Sequence, residues 1–199
     1  MKPYFHKRCI AYIIDVLIVL VLSMLITGII PISEKAKVIS ENIIELNTGV
    51  SEEKITIEKY NKEIQSLNYE LTKETVIISL INISVYLLYF AVYPLYNNGQ
   101  TIGKRFQKIK IVNKTNNEAT MNNLLIRTMI LHGTAINIVI LVLIMMLNKT
   151  NFILVNNYLN YLQYLILIIT ILMMIFSKSG KGLHDILSNT MVINEEEKK

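Results

Sequence analysis

The sequence predicts an all-α membrane protein with four transmembrane helices and both termini in the cytoplasm. An extracellular helical hairpin between spans 1 and 2 and a short cytoplasmic β-ribbon complete the expected architecture. Three observations carry this. Hydrophobic residues fill 52% of 199 positions and charged residues only 18%, and the mean hydropathy of +0.43 exceeds what a soluble fold of this length can hide. The apolar residues collect in four stretches, each near the roughly 20 residues a helix needs to cross a hydrocarbon core about 30 Å thick. Lysine and arginine flank those stretches unequally. One membrane domain over residues 1–199 is expected.

Span 1 is expected over residues 9–30, with Asp15 as its one charge. Lys2, Lys7 and Arg8 precede it, as cations precede a secretory signal. The run is too long for a signal core, contains an aspartate, and has no small-residue cleavage pattern before Pro31, so it reads as a retained helix.

Residues 31–75 form the extracellular insertion. Ala36, Ile39, Ile43 and Leu46 recur at helical steps, and after Asn47-Thr48-Gly49 the stripe resumes at Ile57, Tyr60, Ile64, Leu67 and Leu71. Two amphipathic helices are predicted. The second starts at Ser51, with Glu52 and Glu53 in its first turn, and runs straight into span 2 at residues 76–96. The stripes either pack on each other as a hairpin or receive a partner.

The cytoplasmic loop, residues 97–127, opens with the turn Asn97-Asn98-Gly99 and alternates from Lys108 to Val112, which predicts a strand. A helix is expected from Thr120, sliding along the interface through Leu124, Leu125 and Arg127 into span 3 at about 128–147. Span 4 is expected at 158–176. The tail, residues 177–199, carries a second strand-like segment, Asn189 to Ile193, able to pair with the first.

Orientation follows from the charges. The N-terminal segment holds Lys2, Lys7 and Arg8, and loop 97–127 holds Lys104, Arg105, Lys108, Lys110, Lys114 and Arg127 against Glu118 alone. Loop 31–75 balances six lysines with nine glutamates, and the third loop has only Lys149. Lys178 and Lys181 place the tail with the basic side. The expected location is the plasma membrane, with N and C termini inside.

Several classes are excluded on chemistry. The formal charge of +5 sits beside the spans, where topology and anionic lipid account for it, so no nucleic-acid partner is expected. Cys9 is alone, which rules out an internal disulfide framework and a cysteine zinc set. Gly99-Gln100-Thr101-Ile102-Gly103-Lys104 resembles a phosphate-cradling loop only superficially, being one residue short between its glycines with Arg105 where Ser or Thr should bind magnesium. No nucleophile and base pair is evident, so the chain is expected not to be an enzyme and to need no cofactor.

The candidate site is a polar and ion-binding cluster of Arg8, Asp15, Lys104, Arg127, His184 and Asp185. A carboxylate inside the bilayer costs roughly 2.5–3.5 kcal/mol on insertion scales, so Asp15 must face the bundle, a cation or water. It reads either as a proton or cation site, or as an acid held by Arg8, Arg127 or a lysine of the basic loop. His184 and Asp185 read as a proton shuttle, or as an acid that caps a short helix or pairs with a loop cation beside a histidine that points elsewhere. His132, Asn137 and Asn82, inside the spans, are hydrogen-bonding groups between helices or parts of a transport path.

Three segments then resemble the RDD family of small multi-pass membrane proteins. Arg8-Cys9-Ile10-Ala11-Tyr12-Ile13-Ile14-Asp15 is similar to its opening signature, Gly99 to Lys104 with the following strand to its central loop, and Gly182-Leu183-His184-Asp185 with Thr190 to its closing motif. The insertion 31–75 is longer than the family norm. The resemblance implies that the naming arginine and two aspartates are Arg8, Asp15 and Asp185, and it implies loosely a role in transport. Arg8, Asp15, Lys104 and Asp185 are expected at the cytoplasmic interface as one polar cluster. The leading expectation is movement of a small ion or solute, proton-coupled at Asp15, by a homo-oligomer in the bilayer. The competing one is a non-transporting module whose hairpin docks a protein partner or senses the envelope.

Overall fold

The computed structural model describes residues 5–177 and 179–195. Lys2 and Lys178, used above for orientation, lie outside the described residues. Helix α1, Phe5–Thr27, starts four residues earlier than expected and stops ahead of Gly28 and Pro31.

The insertion is a helical hairpin of α2, Glu34–Ser51, and α3, Ile57–Glu74. Ser33 caps α2 by accepting the Ala36 N–H at 3.1 Å, and Thr56 caps α3 by accepting the Lys59 N–H at 3.4 Å. Ser51 therefore ends the first helix rather than starting the second. Asn47 to Gly49 stay helical, with the Thr48 and Ser51 hydroxyls turned back to the Ile44 and Asn47 carbonyls, and the chain reverses only at Glu53 with φ 58°. Lys149 pairs with Glu70 at 2.6 Å and Phe152 meets the Tyr69 ring at 5.3 Å, tying the hairpin to the start of the last long helix.

Thr75 alone separates α3 from α4, Val76–Leu87, which continues through a π-turn, Leu88–Val92, into α5, Tyr93–Tyr96. The loop that follows folds as α6, Ile102–Phe106, and β1, Ile109–Asn113. β1 pairs antiparallel with β2, Thr190–Asn194, Ile111 opposite Val192. Both strands lie one residue beyond their expected bounds.

Span 3 differs in kind from expectation. Thr120 and Asn123 form a capping box that starts α7, Met121–Leu131, and α8 follows at Thr134–Met146, bent by 71° from α7. Gly133, at φ 64°, makes the break in a left-handed conformation that glycine adopts without strain. Thirteen residues rise about 20 Å, short of the hydrocarbon thickness, so α8 crosses only together with α7. The last span is α9, Lys149–Phe176, nine residues longer at its start than the hydropathy limit because Asn148 caps it on the Asn151 N–H at 3.0 Å. Helix α10, Leu183–Leu187, precedes β2. Among the described residues, three helices are long and apolar enough to cross a membrane, and the bent pair makes a fourth candidate.

Loop 97–127, the tail and the start of α1 gather at one end of the bundle, while the hairpin and the α8–α9 turn meet at the other. The buried residues at the first end are unusually polar. Asp15, Thr101, Thr128, His184, Asp185 and Thr190 are each no more than 1% exposed.

Candidate functional site

Two buried carboxylates organise that end. Asp15 accepts four bonds. Its Oδ1 takes the Tyr89 hydroxyl at 2.8 Å and the Gly103 N–H at 2.7 Å, and its Oδ2 takes the Thr101 hydroxyl at 2.5 Å and the Lys104 ammonium at 3.4 Å. The local folding is explicit. Thr101 accepts the Lys104 N–H at 3.4 Å and so starts α6, which aims the Gly103 amide at the carboxylate. A Cβ at Gly103 would overlap the Ala11 carbonyl oxygen and lie 2.8 Å from Asp15 Oδ1, so glycine is required by the close approach of α6 to α1. The π-turn buries Tyr89, Phe90 and Ala91 in succession, and Tyr89 reaches Asp15 from it.

Asp185 is held differently. Arg8 Nη2 donates at 2.6 Å, Arg127 Nη1 donates to the other oxygen, and the Gly182 N–H donates at 2.9 Å. Arg8 Nη1 also reaches the Gly180 carbonyl at 2.5 Å, and Arg127 Nη1 reaches the Thr190 hydroxyl at 2.9 Å. His184 Nε2 lies 3.4 Å from Asp185 Oδ2. The expected single cluster is thus two nodes. Arg8 and Arg127 serve Asp185 and not Asp15, because α10 carries its acid to the N-terminus of α1 while α6 carries Lys104 to Asp15, about two turns further on.

Electrostatics follow the burial. Burial pushes Lys104 down to about 8, helped by repulsion from Arg127 and Arg8, against the pull of Asp15. Burial, then repulsion from Arg127, holds His184 well below the usual imidazole range and therefore neutral at pH 7. For Asp185 burial acts upward, but Arg127 and Arg8 together outweigh it and keep the carboxyl well below the usual range.

A third polar feature lies deeper, at the α7–α8 break. A cavity of about 450 Å³ is lined by Asn82, Tyr86, His132, Thr134, Asn137 and Gln163, among others. The side-chain Oδ1 of Asn82 is buried with no hydrogen-bond partner among the described residues. His132 closes the inner side, stacked on Phe90 at 3.7 Å and flanked by Tyr12 and Tyr86, each at 5.6 Å. A smaller cavity of about 160 Å³ touches the same His132, Tyr86 and Gln163 and extends inward to Leu167 and Thr170.

A family model described as RDD family matches residues 2–189, nearly the whole chain. The chain belongs to the RDD family. No curated protein and no solved structure matches it. In this RDD protein the sequence motifs converge pairwise: the opening motif supplies Asp15 to the central loop and Arg8 to the closing motif.

Sequence reasoning missed Tyr89, Thr101 and Gly103 as partners of Asp15, and Phe90 and Gln163 at the break. Thr101 and Gly103 were visible inside the glycine motif, where a hydroxyl cap and a close-approach glycine were readable. Tyr89 and Phe90 had no signal, since a π-turn leaves no mark in hydropathy.

Proposed function

We propose that this RDD protein sits in the plasma membrane with both termini in the cytoplasm and moves a small ion or polar solute. The polar cavity at the α7–α8 break is the substrate site. That cavity is the observation that carries the reading. Irregular backbone at membrane depth is tolerated where it lines a cavity, and broken helices supply the binding sites of many transporters. Uncharged carboxamides and hydroxyls here meet the N-terminus of α8, and the space beyond His132 leads toward the inner end. Asp15 serves as a closing contact of the inner end, with four donors already on its oxygens, rather than as the coupling acid. Transport by four helices is best served by a homo-oligomer.

The test is proton and sodium flux in proteoliposomes, comparing the native protein with Asn137→Leu and Gln163→Leu at matched incorporation. Flux above empty liposomes that falls about tenfold or more in either variant, with unchanged thermal stability, supports the reading. Absence of flux for both ions sinks it for those ions.

One observation favours a second reading, a non-transporting module that docks a protein partner through the hairpin. An open crevice of about 890 Å³ lies between α2 and α3, bordered by Glu45, Glu58, Lys59, Lys62 and Glu63. Site-specific crosslinking from Lys59 and Lys62 in membranes tests it, and a defined adduct is the expected outcome.

A further inference from the structure

A further cavity of about 260 Å³ opens between α1 and α9 at the end that holds the two carboxylates, and it shares Tyr12, Leu131, Leu167 and Thr170 with the smaller cavity beyond His132. Its wall is mostly apolar, with Leu131 and Met174 half-buried inside and Ile13, Leu167 and Ile171 at the rim, 57%, 40% and 40% exposed on the outer surface of the bundle. Yet Arg8, Lys104 and Arg127 also line it, with side chains only 10%, 12% and 5% exposed. These three cations are matched by two carboxylates, Asp15 and Asp185, and His184 is neutral, so the buried group holds one positive charge in excess. A buried charge without a counter-charge is unfavourable, and one anion would relieve it.

Two further polar atoms on this wall have no hydrogen-bond partner among the described residues. Thr170 Oγ1 and His184 Nδ1 are the two, and their residues are 2% and 1% exposed. Both bonds described for Arg127 leave from Nη1, so its remaining guanidinium N–H groups are not committed to Asp185 or Thr190. An anion oxygen among these groups gains charge-assisted bonds from buried donors.

We propose that this crevice is a site for one anionic phospholipid of the adjoining leaflet, its phosphate beside Arg127, Lys104 and Thr170 and one acyl chain along Ile13, Leu167 and Ile171. The commitment to lipid rather than a free anion rests on the apolar wall and on the lateral opening between two spans. Basic pockets between helices at a membrane face recognise such headgroups.

Native mass spectrometry on the full chain tests it, with phosphatidylglycerol and phosphatidylcholine of identical acyl chains titrated separately. Phosphatidylglycerol should be retained about tenfold more strongly. Ile171→Trp, which fills the mouth from the lipid side, and Thr170→Val, which removes only the hydroxyl, should each bring that retention toward the phosphatidylcholine level without changing the melting temperature in lipid-free detergent. Equal retention of the two lipids, or retention untouched by both variants, overturns the proposal. Inorganic phosphate that binds as tightly as the lipid and displaces it overturns the lipid assignment in favour of a free-anion site.

Discussion

Asp15 and Asp185 are both completely buried, yet their partners differ in one decisive property. Asp185 is neutralised by two guanidinium groups, which cannot shed their protons, whereas Asp15 is held by two hydroxyls, a backbone amide and a single lysine that can. The node at Asp185 is therefore brittle and the node at Asp15 forgiving. The first staples the tail to α1 and α7, and the second seats the glycine loop on α1.

The sharpest way to break this comparison is to neutralise each acid in turn. Asp185→Asn leaves Arg8 and Arg127 buried without an anion, and the expected loss is about 3–5 kcal/mol of stability, read as a collapse of the melting transition in detergent. Asp15→Asn should cost less, about 1–3 kcal/mol, because Lys104 can go neutral while the amide oxygen still accepts from Tyr89 or Gly103. Equal losses in the two variants would contradict the distinction. Tyr89→Phe removes one of four donors from Asp15 and is expected to cost about 1 kcal/mol in the same assay.

A pH titration sharpens the contrast with the smallest effect. Lys104 is pushed from 10.5 down to about 8 in the folded protein. Between those values the unfolded chain holds a proton that the native state has released, so native stability rises with pH across the window. Lys104→Met should flatten that rise. A slope that persists in the variant would place the titrating group elsewhere.

Much of this was readable in the residues. The apolar runs around Asp15 and through Val76–Tyr96 specify helices by length and composition alone, since an apolar stretch in lipid has no other way to satisfy its backbone. The alternation at Lys108 to Val112 announced a strand, and Thr120 announced the start of α7. The cap signature Ser51-Glu52-Glu53 misplaced the start of the second helix, because Ser51 stays in the last turn of α2 and Thr56 caps α3.

By itself, then, the sequence determined the spans, the hairpin, the two strands and the family, because each rests on local period, charge and motif. Tertiary structure alone decided the rest. Which cation meets which carboxylate depends on how α6 and α10 return to α1 across 88 and 177 residues of chain, a contact no local pattern encodes. The bend at Gly133 was equally hidden. A single glycine within a largely apolar run fits a straight helix or a broken one, and packing of His132 and Gly133 against Tyr86, Phe90 and Gln163 selects the second.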